Sequence, residues 1–240
     1  MNDEISFRRI AAITLILAGA LNLAASALAT AAVDFNMELL ANPTAMLTSG
    51  LEPGVIDLFR WSEVLGVFGY SLLLVPATLY LWYWLSPKKP RMVTLYTILG
   101  LIAIVLCVIE SAVRASIWPP IMAAYPQAAD AQREVLQVTF GAMTDFAFES
   151  MYAVNSILGG LWLLGMGLIL RSEQRILGIV TAIMGAAVLL AGIGWITRVD
   201  PLARLELFYF IQPFWAVWLG IVIWRQTEKV EQMAVAATAA

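Results

Sequence analysis

The chain has no histidine and one cysteine among 240 residues, and only 13% of its residues are charged. Each shortage excludes something. Without histidine, the usual zinc, haem and di-iron ligand sets lose their nitrogen donors. One cysteine cannot build a disulfide framework within the chain. Cys107 lies in an apolar run, Ile104-Val105-Leu106-Cys107-Val108-Ile109, and reads as a buried, inert thiol. Lysine is missing from every long apolar run, which leaves neither a Schiff-base lysine nor a serine–lysine dyad. Neither a glycine-rich phosphate loop nor Gly-x-Ser-x-Gly occurs. The net charge of −3 is too small to point to nucleic acid, and none is expected as a partner. Catalytic residues, metal ligands and cofactors are therefore not expected. Enzymatic chemistry is reduced to an all-carboxylate acid/base pair for which no motif argues.

What is abundant is apolar side chain. Hydrophobic residues make up 61% of the chain, and the mean hydropathy is +0.83. A soluble domain is nearer half apolar and about a quarter charged. Lipid must therefore solvate most of this surface, and the bilayer is the first expected partner. A span needs roughly 20 mostly apolar residues. Six stretches qualify, at about 10–33, 59–85, 92–118, 136–170, 176–197 and 202–224. Breakers separate them. Ser86-Pro87-Lys88-Lys89-Pro90 parts the second from the third, Trp118-Pro119-Pro120 ends the third, and Asp200-Pro201 parts the fifth from the sixth. Pro76 predicts a kink in the second span. The expected fold is an all-α integral membrane protein, a six-transmembrane-helix bundle. It forms one domain over 1–231, followed by a flexible tail at 232–240.

Orientation follows from lysine and arginine, which are retained in the cytoplasm. Arg8, Arg9, Lys88, Lys89, Arg91, Arg171, Arg175, Arg225 and Lys229 fall on one side of a six-span chain. The opposite side holds Arg60, Arg114, Arg133, Arg198 and Arg204, each with acids nearby. N-terminus and C-terminus are thus expected in the cytoplasm, with the protein multi-pass in the inner (plasma) membrane. Arg8-Arg9, an apolar run and Ala27-Leu28-Ala29 also fit a cleavable signal peptide. The run of about 24 residues is longer than a signal core, so an uncleaved first span is expected. The long loops lie outside: 34–58, rich in turn formers, and 119–134.

Small and polar faces predict how the helices pack. Gly178, Gly185 and Gly192 recur every seven residues on one face of the fifth span. Asn22, Ser26 and Thr30 follow at i, i+4, i+8 in the first span and must face protein, since lipid offers no hydrogen bonds. Asn22 and Asn155 are expected to meet near mid-membrane as a structural contact.

One layer of charge needs an explanation. At 1.5 Å per residue, Glu63 lies roughly 33 Å from the inner end of its span, Glu110 roughly 27 Å and Glu149 roughly 32 Å. Arg198 and Glu206 fall at the same level, and Arg60, Arg114 and Asp145 about a turn further out. Glu110 and Arg114 stand at i, i+4 and can pair. Asp145 and Glu149 share that spacing with like charge, and require an arginine, a cation or a proton between them. Arg114, Arg198 and Arg204 are the available arginines. Charges near helix ends can also snorkel to headgroups or pin helices together, and Arg60, Arg204 and Glu206 are read that way. The functional alternative is an outward-facing charged cup formed by Glu63, Glu110, Arg114, Asp145, Glu149, Tyr152 and Arg198. Tyr152, Phe146, Met143 and Trp118 would wall it.

Arg8-Arg9-Ile10-Ala11-Ala12 at the head of the first span, the long loop after it and the Glu110/Arg114 pair resemble a family of six-span bacterial membrane proteins classed as a domain of unknown function. The likeness spans roughly 8–225. Glutamate precedes arginine here, the reverse of that family's order. It implies the six-span fold and no reaction. The expected function is non-enzymatic: binding or transport of a small molecule, cation or lipid headgroup in the cup. The alternative is an accessory or structural subunit of a larger membrane complex, with the aromatic-rich sixth span as a partner surface. A homo-oligomer is compatible with either. Orientation is directly testable in a Cys107→Ser background. A membrane-impermeant maleimide applied to intact cells is expected to label Ser49→Cys and to spare Ser86→Cys; the reverse pattern inverts the topology.

Overall fold

A computed structural model describes the backbone of residues 2–36, 39 and 42–239, and the side chains of those residues apart from 2, 70, 148, 149 and 229–239. It is 90% helical, with no strand among the described residues. Six helical stretches are long and apolar enough to cross a membrane: Asp3–Ala32, Pro53–Leu85, Pro90–Gln127, Asp130–Leu170, Arg175–Thr197 and Asp200–Glu228. The expected spans are all present, and several are longer than their apolar cores.

Helix α1 (Asn2–Ala32) is the first span, and a short α2 (Pro43–Thr48) sits in the loop after it. The second span joins α3 (Pro53–Gly66) to α4 (Leu74–Leu85) through a π-helical segment at Val67–Leu72. Pro53 stands in the first turn of α3, where a missing N–H costs nothing. The helix therefore starts six residues before the expected Phe59. The break attributed to Pro76 lies just upstream of it. Proline removes the bond its nitrogen would give to the carbonyl four residues back, here Leu72. There the ladder widens, with the Leu73 amide donating to the Phe68 carbonyl at 3.1 Å.

Helix α5 (Pro90–Ala124) is the third span, and it does not stop at Trp118. It runs through Pro119 and Pro120, whose fixed φ suits a helix and whose lost bonds fall in its last turns. Packing supports the extension. Trp118 is buried, stacked on Phe59 at 5.4 Å and tilted against Phe140 at 5.2 Å. The fourth span is α6 (Asp130–Asp145), a second π-helical segment at Phe146–Tyr152, and α7 (Ala153–Leu170). The expected loop at 119–134 thus shrinks to a few residues around Tyr125–Gln127. The fifth span is α8 (Arg175–Thr197), closed by Arg198 with φ +56°. The sixth opens with α9 (Asp200–Ala203), continues through a 3₁₀ segment at Arg204–Ile211 and ends as α10 (Gln212–Ala239).

The glycine face of α8 allows a close crossing. A Cβ on Gly185 would lie 2.7 Å from the Leu163 carbonyl carbon, and one on Gly192 would lie 2.8 Å from the Ala153 oxygen. Gly160 on α7 answers with the same closeness to Leu189. Backbone thus meets backbone between the fourth and fifth spans, the arrangement that dispersion favours in lipid. Gly220 likewise packs on Ala12, and Gly19 on Pro213, so α1 and α10 run antiparallel. Both chain ends therefore lie at one end of the bundle. Lys88 pairs with Glu173 and donates to Ser172 at 3.0 Å, which ties two of the basic loops together.

Two apolar cores result. One fills the half nearer the chain ends, around Leu15, Tyr80, Leu81, Met166, Trp215 and Leu219. The other, at the far end, gathers Met46, Leu47, Ile56, Phe59, Trp118 and Phe140. Gly185→Val is expected to lower stability by about 1–3 kcal/mol through overpacking. Gly141→Ala, where a Cβ meets nothing within 4 Å, is the matched control and should melt no lower than the native chain in mild detergent.

Candidate functional site

Between the two apolar cores lies a cavity of about 250 Å³ with charged, polar and apolar side chains on its walls. Three charged side chains form one wall. Glu63 comes from α3, a turn inward of Phe59; Glu110 and Arg114 come from one face of α5. Arg114 bridges the two carboxylates. Its Nη2 lies 3.0 Å from Glu63 Oε2, its Nε donates to the same oxygen at 3.1 Å, and its Nη1 lies 3.0 Å from Glu110 Oε1. Nη2 also reaches Ser111 Oγ at 3.4 Å. The expected i, i+4 pair is present, and Glu63 joins it from the neighbouring span.

All three groups are removed from solvent. Arg114 and Glu63 keep 13% of their side-chain surface, and Glu110 only 3%. Two carboxylates and one guanidinium sum to a formal charge of −1. Glu110 Oε1 is engaged by Arg114, but Glu110 Oε2 is buried with no hydrogen-bond partner. A buried carboxylate oxygen without a donor carries a desolvation cost that nothing visible offsets. It belongs to a residue lining the cavity.

The other walls come from three more spans. Asn22, Ala25, Ser26 and Ala29 present the polar and small face of α1. Thr30, the third member of that face, donates to its own Ser26 carbonyl at 2.8 Å. Tyr152 and Asn155 line the cavity from the fourth span, Tyr209 and Phe210 from the sixth. Tyr209 and Ser156 hydroxyls are 3.1 Å apart, and the rings of Tyr152 and Tyr209 are 5.6 Å apart. Asn22 and Asn155 do face the same space. Cys107 is buried, as expected, and is part of the lining. Toward the chain ends the space narrows to hollows of about 30 Å³ and 10 Å³ beside Gln212.

Local geometry departs from the α-helix at this level. The π-helical segment of the second span follows Gly66, that of the fourth ends at Tyr152, and the 3₁₀ segment of the sixth carries Tyr209 and Phe210. π-helical turns inserted in α-helices recur at functional sites. Here each shifts the register at which a cavity-lining side chain meets its neighbours.

Several expected members stand elsewhere. Asp145 is exposed and absent from the lining, because the wider turns beginning at Phe146 break the i, i+4 register assumed for it and Glu149. The side chain of Glu149 lies outside the described residues. Arg198 is also exposed; it is the left-handed cap of α8 and is absent from the lining. Arg204 is exposed, and Glu206 accepts from Trp195 Nε1 at 3.1 Å, a link between the fifth and sixth spans. Trp118 belongs to the far core, and Phe146 and Met143 are exposed, so of the four expected wall residues the lining keeps Tyr152. Tyr209 and Phe210 were hidden in an aromatic run that reads equally as lipid-facing. Ser62 and Ser111, each beside a lining glutamate, carried the weaker signal that a polar residue adjoins an intramembrane acid.

Arg114→Leu strands two buried carboxylates and is expected to lower stability by about 3–5 kcal/mol. Adding Glu63→Gln and Glu110→Gln removes the stranded charge, so the triple variant should recover most of that loss in thermal denaturation. A triple variant melting below the single one would show that the carboxylates are held by something other than Arg114.

Comparison of the chain with family models, with curated proteins and with solved structures gave no match, so the functional reading rests on the geometry of this cavity.

Proposed function

We propose that this is a non-enzymatic, multi-pass membrane protein that binds a small ligand in the cavity around Glu63, Glu110 and Arg114, for retention or transport. One observation carries the reading: a cavity of about 250 Å³ lined by the Glu63–Arg114–Glu110 cluster, in which Glu110 Oε2 is buried without a hydrogen-bond partner. The clustering of π and 3₁₀ turns around the same space supports it. The basic loops would lie in the cytoplasm and the protein in the plasma membrane, which puts the cavity in the outer half of the bilayer. Access from outside follows from that orientation.

The second reading, an accessory subunit of a larger complex, draws on the sixth span. Leu207, Phe210, Phe214 and Trp218 are exposed along it at helical spacing. Lipid covers such a stripe as readily as a partner does.

Native mass spectrometry of the protein released gently from its own membrane separates the two. The expected result is a chain carrying a small-molecule adduct, lost in Glu110→Gln while circular dichroism shows that the variant stays helical and folded. Stoichiometric protein partners with no adduct would favour the subunit. A bare chain in both native and variant forms would defeat the ligand reading.

A further inference from the structure

We infer that the ligand is a small organic monocation, an amine or quaternary ammonium compound, neutralised by Glu110. The inference rests on the ligand reading above and supplies its chemical class.

Charge comes first. With both carboxylates ionised, Glu63, Glu110 and Arg114 carry one net negative charge on a wall where Glu110 is 3% exposed. No lysine lies in any span to cancel it. Arg198 and Arg204, the arginines next in level, are exposed and outside the lining. An anion entering the cavity would meet like charge at low dielectric, and a neutral ligand would require a proton on a carboxylate to cancel the excess. One positive charge balances it.

Donor count separates organic cations from metal ions. Arg114 takes Glu63 Oε2 and Glu110 Oε1, which leaves two carboxylate oxygens, Glu63 Oε1 and Glu110 Oε2, outside these contacts. Calcium takes six to eight oxygens and magnesium an octahedron of them. Among the described residues no group of three acidic, histidine or cysteine side chains could hold a metal. An ammonium group needs less: one carboxylate oxygen and the faces of aromatic rings. Tyr152, Tyr209 and Phe210 supply rings on the lining.

Size agrees. A space of about 250 Å³ has room for a small organic ligand rather than a lone water or ion. Ala25 and Ala29 on α1 and Gly66 on α3 add little bulk to the lining.

The test uses the whole protein in mild detergent at fixed ionic strength. Choline and ethanolamine are the cationic probes, and 3,3-dimethylbutan-1-ol, the uncharged carbon analogue of choline, is the control. At least one cation is expected to raise the melting temperature saturably, the alcohol should not, and Glu110→Gln should weaken the cation at least tenfold. The comparison of choline with its analogue needs no variant, so it stands even if Glu110→Gln folds poorly. Equal shifts from choline and the alcohol would overturn the inference, since the cavity would then not read charge. A saturable shift from sodium alone, absent with both amines, would overturn it in favour of a metal cation. No shift from either amine, with a neutral or anionic adduct in native mass spectrometry, would overturn it and leave the ligand reading standing; no adduct at all would remove that reading too.

Discussion

Arg114 organises the half of this bundle that lies away from the chain ends. Its guanidinium spans Glu63 on the second span and Glu110 on its own, at 3.0 Å to each. In a low-dielectric interior none of the three could be buried alone. Once paired they fix the azimuth of α5 relative to α3. That azimuth sends Trp118, one turn further along α5, onto Phe59 of the same α3 face, and the far apolar core closes over the pair. The bridge and the stacked rings are successive rungs of one interface.

The same interface explains why a charge-lined cavity exists in a protein so rich in apolar residues. Two acids against one base leave a formal charge over, and here the guanidinium reaches one oxygen of each carboxylate and leaves Glu110 Oε2 without a donor. The first span contributes alanine and serine where bulk would fill the gap, and the fourth and sixth leave the straight α-helix at that level. By contrast the half near the chain ends is close-packed, with glycines of α8 and α7 set against backbone and Trp162 and Trp215 edge to face at 6.4 Å. Rigid packing at one end and irregular turns at the other divide the bundle into a scaffold and a site, the usual way a fold confines strain to where binding occurs.

Legibility from sequence followed the range of the forces involved. Glu110 and Arg114 were readable as a pair because i, i+4 spacing on a helix is a local property. Glu63 was placed at the right depth by counting residues, but its pairing with Arg114 joins residues 51 positions apart. Asp145 and Arg198 passed the same depth count and are exposed, since depth says nothing about azimuth. The π-helical turns at Val67–Leu72 and Phe146–Tyr152 rotate everything beyond them, and only Pro76 announced one of them. Trp118-Pro119-Pro120 signalled an end that aromatic packing overrode.

The sequence by itself determined that the chain forms six helices long and apolar enough to cross a membrane, because hydrophobic length and the obligation to satisfy backbone groups within each helix act residue by residue. It also determined which chemistries are missing, since side chains that are not encoded cannot act. Only the tertiary structure decided which of the charged residues meet. Glu63, Glu110 and Arg114 share a wall while Asp145 and Arg198 do not, because helix rotation, set by glycine crossings and non-α turns, selects which face of each helix looks inward.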